Sequence, residues 1–171
     1  MFDALKRFLA EVSGAGAASR SFEEDEDYCL AAVALLIHII HVDGSADPSE
    51  KQRLQALIEE RFGLDPDEAA SLSAKAEERD REAVDFYQFT SVLKHKLDDA
   101  GRQKIVEMLW EIAFADGVIH EFEENAIWRI AELLGVSTRE RVMLRQKVMA
   151  QSPRGLPLPG PWSGLGAKTK A

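Results

Sequence analysis

The stretch LLIHIIHVDGSADPSEKQRLQALI, residues 35–58, occurs a second time as MLWEIAFADGVIHEFEENAIWRIA, residues 108–131. The two copies align without a gap, which places Asp43 on Asp116 and Glu50 on Glu123. An internal repeat of this kind predicts a duplicated helical unit, and it makes the differences between the two copies interpretable. Neither copy contains a motif with a defined catalytic mechanism. The repeat therefore predicts a fold and a candidate site, and it favours a protein that is not an enzyme.

The composition is that of a globular protein, with 46% apolar and 30% charged residues in a chain of 171. The net charge is −9, so the surface should attract cations or basic protein partners and repel nucleic acid. Cys29 is the only cysteine, which excludes a disulfide within the chain and fits a reducing compartment. No apolar run is long enough to span a membrane, and charges interrupt the first residues where a signal peptide would be apolar. We expect a cytoplasmic protein.

The chain divides into three segments. Residues 1–21 contain a predicted amphipathic helix followed by a flexible linker of small residues, 13–19. The apolar stripe of that helix consists of Phe2, Leu5, Phe8, Leu9 and Val12. Such a stripe should be covered by the chain's own bundle, by a second copy in a homo-oligomer or by another protein. Two basic and two acidic residues flank it, so we expect no stable peripheral association with a membrane.

Residues 22–151 predict an all-α domain, because no stretch alternates with the period of a β-strand. Capping residues, prolines and glycines delimit the helices. The predicted helices run from Tyr28 to about Val42, from the Asp47 cap to Phe62, from the Asp65 cap onward, from about Ala83 to Leu97, from about Asp99, from His120 to Leu134, and onward from a capping box at Ser137–Glu140. With the N-terminal helix, this predicts a compact bundle of about seven to eight helices in two pseudo-symmetric halves. Residues 152–171 hold four of the six prolines and predict a disordered tail.

The two Asp-Gly loops are the candidate site. The pattern D-G-x-I-x-x-x-E, which begins at Asp116, equals the second half of an EF-hand calcium loop. An EF-hand also needs oxygen ligands two and four residues before that aspartate. Those positions hold His41 and Ile39 in one copy and Phe114 and Ile112 in the other. Neither loop is therefore an EF-hand by itself.

Helix capping offers a structural explanation for part of the pattern. It accounts for Asp47, Glu50 and Glu123, which lie at or just after a helix start. It accounts less well for Asp43 and Asp116, because they end apolar helices, where the helix dipole disfavours a carboxylate. Both positions thus suggest a nearby positive charge, either a bound cation or the lysines and arginines of a neighbouring helix.

The duplication suggests how the loops could form one site. Copies related by a pseudo-two-fold axis commonly pack face to face, which would place the two loops across a groove from each other. Five carboxylates and one imidazole could then bind a divalent metal ion of unknown identity, and zinc would be favoured if the histidine took part. The candidate metal ligands are Asp43, Asp47, Glu50, Asp116, His120 and Glu123.

Other residues with possible chemistry have simpler explanations. His38 and His41 lie three positions apart on an apolar helix, as a ligand pair could, although core histidines are commoner. Trp110 and Trp128 have the spacing of helix core residues, so we expect both rings to pack in the core. Cys29 lies in an apolar stretch and predicts a small buried side chain.

The repeated Asp-Gly loops, Asp43-Gly44 with Glu50 and Asp116-Gly117 with Glu123, resemble those of the tellurite-resistance TerB family. The N-terminal cytoplasmic region of DjlA-type co-chaperones is similar too, and the resemblance covers roughly residues 30–148. It implies a compact all-helical domain of two pseudo-symmetric halves. It also implies that Asp43, Glu50, Asp116 and Glu123 are metal ligands, and it links the chain to tellurite and chemical-stress response and to membrane-associated complexes.

Three hypotheses for the function follow. The preferred one is a non-catalytic cytoplasmic module that binds a cation at its acidic loops and a protein partner elsewhere. The second is a purely structural interaction domain whose loop acids only cap helices. The third, a metal-dependent hydrolase that uses clustered carboxylates, is the weakest because no motif supplies a substrate pocket.

Overall fold

The computed structural model describes residues 22–42, 44, 46–115 and 117–151. The predicted N-terminal helix and the predicted disordered tail lie outside these residues, as do Asp43 and Asp116. The predictions for those segments and for those two aspartates therefore stay predictions.

The described residues form seven helices and no strand, which confirms the predicted all-α class. None of these helices is long and apolar enough to cross a membrane. In chain order the helices are α1 (Phe22–His41), α2 (Pro48–Phe62), α3 (Pro66–Glu82), α4 (Tyr87–Lys96), α5 (Asp99–Ala113), α6 (Glu121–Leu134) and α7 (Thr138–Gln151).

The helix ends follow the capping signals in the sequence. Asp47 caps α2 by accepting a hydrogen bond from the backbone N–H of Ser49 at 2.7 Å. Asp65 caps α3 in the same way, through the N–H of Glu68 at 2.8 Å. Gly63 follows α2 with a φ of 63°, a left-handed conformation that glycine adopts without a steric cost. Local sequence thus fixes where the chain turns between helices.

Three predicted helix starts differ from the structure. Helix α1 begins at Phe22, earlier than the predicted Tyr28, so the acidic run lies in its first turns, where the helix dipole tolerates it. Helix α4 begins at Tyr87 and not at Ala83, because Ala83 ends α3 and Asp85 accepts a hydrogen bond from the N–H of Tyr87. Helix α6 begins at Glu121, one residue after the predicted start, and His120 is its N-cap residue.

The seven helices form two similar halves, α1–α3 and α5–α7, joined through α4. In each half the first helix packs against the second and the third. The first helices α1 and α5 also pack against each other at the centre. Each second helix contacts the first helix of the other half, α2 against α5 and α6 against α1. This arrangement of contacts is that of a pseudo-two-fold duplication, as the repeat predicts.

Helix α1 is the centre of the hydrophobic core. From Tyr28 to Ile40 nearly every side chain is buried, including Cys29 as predicted. Burial of one large aliphatic side chain stabilises a fold by about 1.5–3 kcal/mol. The core side chains that are almost completely enclosed include Leu35, Leu36, Ile39, Ile40, Leu57, Ile58, Phe62, Leu93, Met108, Leu109 and Trp110. Such a core holds the Asp-Gly loops at the ends of rigid helices.

Candidate functional site

The two Asp-Gly loops have matching backbone turns. Gly44 has a φ of 81° and Gly117 a φ of 86°, both in the left-handed region that favours glycine. The N–H of Gly44 donates to the carbonyl of His41 at 3.0 Å, and that of Gly117 to the carbonyl of Phe114 at 3.0 Å. The turns at Gly44 and Gly117 are thus equivalent in structure as well as in sequence.

The glutamates that follow the two loops are buried. Glu50 is 3% exposed and Glu123 is 1% exposed, although both are charged side chains at helix starts. Each carboxylate accepts a hydrogen bond from the backbone N–H of its N-cap residue, Asp47 at 3.1 Å and His120 at 2.9 Å. The capping role that the sequence predicts for Glu50 and Glu123 is therefore confirmed.

Capping alone does not require this burial. The same bond pattern occurs at the start of α3, where the N–H of Asp65 donates to Glu68 at 3.2 Å. It occurs again at the start of α7, where the N–H of Ser137 donates to Glu140 at 2.8 Å. Glu68 and Glu140 are only half-buried. Full burial of the capping glutamate is thus particular to the two helices that follow Asp-Gly loops.

Two of the other candidate ligands, Asp47 and His120, are exposed at the N-cap positions of α2 and α6. The hydroxyl and the backbone N–H of Ser49 both donate to Asp47, and these bonds hold the pKa of its carboxyl below the usual value. Among the described residues, no group of three or more histidine, cysteine, aspartate or glutamate side chains is placed to hold a metal ion. Asp43 and Asp116 are not among them, so the six-ligand site stays a prediction.

Residues beside the two loops line one groove. The groove has a volume of about 580 Å³ and lies between α2, the end of α5 and the end of α7. Ser49 follows the first loop, and Ala115 directly precedes Asp116 of the second. The groove is lined by Ser49, Gln52, Arg53, Ala56, Glu111, Phe114, Ala115, Val148 and Gln151. The described flanks of the two loops thus lie on the same side of the bundle.

Glu111 forms a charged contact that the sequence analysis missed. Its side chain is only 9% exposed and binds two arginines of α2, Arg53 and Arg61, the latter at 2.7 Å. These bonds tie the second half of the molecule to the first. The available signal was an acidic residue within the otherwise apolar run before the second loop, but its partners lie 50 and 58 positions earlier in the chain.

The two histidines of α1 have different surroundings. The Nδ1 atom of His38 lies 2.9 Å from a carboxylate oxygen of Asp80, and its ring packs edge-on against Phe86 with the centroids 5.3 Å apart. His41 is exposed. These contacts favour the structural interpretation of His38 over that of one member of a ligand pair.

The tryptophans pack as predicted. Trp110 is fully buried, and the Trp128 ring meets it edge-on at a centroid distance of 6.1 Å. The guanidinium carbon of Arg145 lies 5.6 Å from the centroid of the Trp110 ring, within the range of a cation–π contact. Phe114 completes this aromatic corner, with its ring 6.1 Å from that of Trp110.

The first half has an open pocket between α1, α2 and α3, of about 220 Å³. Its lining combines apolar side chains with charged ones. The residues are Ile37, Ile40, His41, Lys51, Leu54, Gln55, Ser73 and Glu77. Arg81 donates a hydrogen bond to Glu77 and, with weaker contributions from His41 and Lys51, holds the pKa of its carboxyl below the usual value.

Comparison with known proteins gives a family match and a relative. The family described as "Tellurite resistance protein TerB" matches residues 29–146 of this chain. The co-chaperone protein DjlA of Vibrio parahaemolyticus serotype O3:K6 (strain RIMD 2210633) is 28% identical over 131 residues. That alignment covers 74% of this chain and 45% of the relative, so the chain spans less than half the length of the relative it matches. No solved structure matches the chain.

Proposed function

The chain belongs to the tellurite resistance protein TerB family, and from that membership we propose that it is a non-catalytic cytoplasmic module that binds a divalent metal ion. The ion would be held at the two Asp-Gly loops, and a protein partner would bind elsewhere on the surface. The proposed setting is the response to tellurite and chemical stress, which the family's description names in part.

The observation that carries the proposal is the burial of Glu50 and Glu123. A carboxylate removed from water needs compensation by hydrogen bonds or by positive charge. Glu68 and Glu140 show that a capping glutamate can stay half-exposed, so capping by itself does not account for the burial of Glu50 and Glu123. A divalent cation bound by loop carboxylates would add positive charge beside Glu50 and Glu123, and hard cations prefer such oxygen ligands.

The shared groove supports one site rather than two. The residues that flank the loops, Ser49 and Ala115, line the same groove. The proposed ligands are the loop aspartates Asp43 and Asp116 with the buried Glu50 and Glu123, and Asp47 and His120 lie at the adjacent N-cap positions. Asp47 is exposed, and its hydrogen bonds from Ser49 hold the pKa of its carboxyl below the usual value.

The protein partner is supported by two observations. The relative that matches most of this chain is a co-chaperone by name, which describes a protein that acts with other proteins. The exposed surface also carries large apolar side chains, among them Phe122 at 66% exposure and Met143 at 57%. Aromatic residues and methionine are enriched at protein interfaces relative to the rest of the surface.

The alternative is a structural interaction domain in which the loop acids only cap helices. The hydrogen bonds from the N–H groups of Asp47 and His120 favour it, because they give Glu50 and Glu123 a role without any metal. The alternative predicts that metal ions leave the stability of the protein unchanged.

Thermal melting with zinc, calcium and manganese separates the two. A ligand at 100 times its dissociation constant stabilises the folded state by about 2.7 kcal/mol, which raises the melting temperature. We expect at least one metal to do so for the natural protein and not for the Asp43→Asn/Asp116→Asn variant. Asp65→Asn is the matched control, since it changes an aspartate that caps α3 away from the loops, and it should keep the response.

Two results would contradict the proposal. One is an absence of stabilisation of the natural protein by all three metals. The other is an equal response of the natural protein and the double variant. A hydrolysis of generic phosphoesters that the double variant abolishes would favour the hydrolase hypothesis.

A further inference from the structure

Helix α4 has no counterpart among the described residues. It packs against α1 and α6, the first helix of one half and the second helix of the other. The pseudo-two-fold axis relates α1 to α5 and α6 to α2. A helix equivalent to α4 would therefore pack against α5 and α2. The groove of about 580 Å³ lies between those two helices, with Gln52, Arg53 and Ala56 on one side and Glu111 on the other.

Individual contacts support this equivalence. At the start of α4, the Phe86 ring packs against His38 of α1. In the alignment of the two copies, His38 corresponds to Glu111, and Glu111 lines the groove. The groove therefore corresponds to the place where the beginning of α4 packs in the other half.

The predicted N-terminal helix has apolar residues at the same spacing as α4, and it occupies the equivalent position in the order of helices. Helix α4 directly precedes α5, and the predicted N-terminal helix directly precedes α1. The residues Phe86, Phe89 and Leu93 have the same spacing as Phe2, Leu5 and Leu9. In α4, Phe89 and Leu93 are 7% and 0% exposed, so this pattern is a face that packs on the bundle.

We propose that residues 1–12 bind as a helix in the groove between α2 and α5, as α4 binds between α6 and α1. The apolar stripe would contact the apolar part of the groove, which is formed by Ala56, Phe114, Ala115 and Val148. The charged residues of the opposite face would remain in water.

The connection permits this position. Only two residues, Leu97 and Asp98, join α4 to α5. Nine residues, 13–21, separate the predicted helix from α1, and they can extend to about 30 Å. The pseudo-symmetry makes the distance from the groove to the start of α1 similar to the distance from α4 to the start of α5. Two residues span the second distance, so the nine residues 13–21 can span the first.

The other occupants are less well matched. The tail leaves α7 at Gln151, which lines the groove, but its four prolines and four glycines do not fit a helix with an apolar stripe. A second copy of the chain could offer the same N-terminal segment, and the experiment below distinguishes this case.

The test is a spin label on the N-terminal segment of the full-length protein. Asp3→Cys in a Cys29→Ala background places the label on the charged face, so that no residue of the stripe is replaced. In NMR spectra of this protein, we expect the backbone amide signals of Gln52, Ala56 and Ala115 to lose most of their intensity, because a nearby unpaired electron broadens them. Ala56→Arg, at an exposed groove position, should restore the signals of the other two.

Ala70→Arg is the matched control, since Ala70 is an exposed alanine of α3 that does not line the groove. It should leave the broadening unchanged. The proposal is wrong if the groove signals keep their intensity, or if Ala56→Arg and Ala70→Arg behave alike. It is also wrong if spin-labelled chains broaden the groove signals of added isotope-labelled chains that carry no spin label, which would identify a second copy. A shift of the groove signals that only deletion of residues 152–171 produces would identify the tail and would also contradict the proposal.

Discussion

The two halves of the molecule differ most at one corner, where the first half has a pocket and the second half is filled. In the second half, Trp110, Phe114, Trp128 and Arg145 pack together. The repeat aligns Trp110, Phe114 and Trp128 with Ile37, His41 and Gln55, and all three of the latter line the 220 Å³ pocket of the first half. The same backbone arrangement therefore encloses a solid corner or an open pocket, according to the volume of three side chains.

This difference indicates how the duplicated unit has diverged. Protein interiors are packed densely, so smaller side chains leave space unless the backbone moves. The second half gains the packing of two indole rings, and the first half gains a concave surface edged by the charged residues Lys51 and Glu77. The second half is thus the better candidate for a stable core, and the first half for contacts with other molecules.

A second difference concerns the ion pairs of the central helices. Glu111 of α5 binds Arg53 and Arg61 across the boundary between the halves. Its counterpart in α1, His38, binds Asp80 within its own half. Among the described residues, one copy of the repeat therefore adds a charged contact between the halves to the packing of their helices.

The largest expected effect is that of Trp110→Ala. Removal of a buried aromatic side chain costs about 3–5 kcal/mol of unfolding free energy. The variant would also remove the ring contact of Trp128 and the cation–π contact of Arg145. Ile37→Ala, at the equivalent position beside the pocket, should cost less, towards the lower end of the roughly 2–5 kcal/mol typical of such changes. Urea denaturation measures both, and an equal cost would show that the two corners do not differ in packing.

The next effect is that of Glu111→Gln, which keeps the shape of the side chain and removes its charge. Hydrogen bonds to charged groups contribute about 1.5–3 kcal/mol, so we expect a loss in this range. Glu77→Gln is the control, because its pair with Arg81 is solvent-exposed and such pairs contribute about 0.3–0.5 kcal/mol. If both variants lose an equally small amount of unfolding free energy, the ion pairs of Glu111 do not stabilise the contact between the halves.

A smaller effect is expected when the pocket is filled. Gln55→Trp introduces the residue found at the equivalent position of the second half, Trp128. Filling of a cavity commonly stabilises a protein by about 0.5–2 kcal/mol. The variant also loses hydrogen bonds from Gln55 to Glu59 and to the carbonyl of Pro66, so we expect the lower end. Gln55→Ala loses the same bonds without filling the space and should be destabilised.

The smallest effect concerns the caps of the third helices, Asp65 in one half and Ser137 in the other. The hydroxyl and N–H of Ser137 lower the pKa of the Glu140 carboxyl. A carboxyl with a lowered pKa in the folded state stabilises the protein above its unfolded pKa, and this contribution is lost as the pH falls through the folded pKa. Melting curves of Glu140→Gln and the natural protein should therefore converge in acid, and a constant difference would contradict this role.

Local signals made most of the fold predictable from the sequence. The repeat gave the two halves, and the caps at Asp47 and Asp65 with the glycine at Gly63 gave the helix ends. The predicted start of α4 was wrong because Ala83, Val84 and Phe86 extend the apolar pattern of the helix towards its N-terminus, while Asp85 turns the chain through a local hydrogen bond. The apolar spacing of a segment does not show whether a side-chain hydrogen bond such as that of Asp85 will interrupt the helix.

The candidate site was less predictable, because its features depend on tertiary contacts. Capping by Glu50 and Glu123 could be predicted from spacing, but their burial could not. The same holds for the arginines that bind Glu111, for the groove between α2 and α5, and for the pocket beside Gln55. Each results from residues far apart in the sequence.

Isothermal titration calorimetry of the full-length protein with zinc, calcium and manganese tests the central claim most directly. If the two Asp-Gly loops form one site, at least one metal should bind saturably with one ion per chain, and Asp43→Asn/Asp116→Asn should abolish the heat. The Asp65→Asn control should bind as the natural protein does. No binding of any of the three metals, or unchanged binding in the double variant, would contradict the claim.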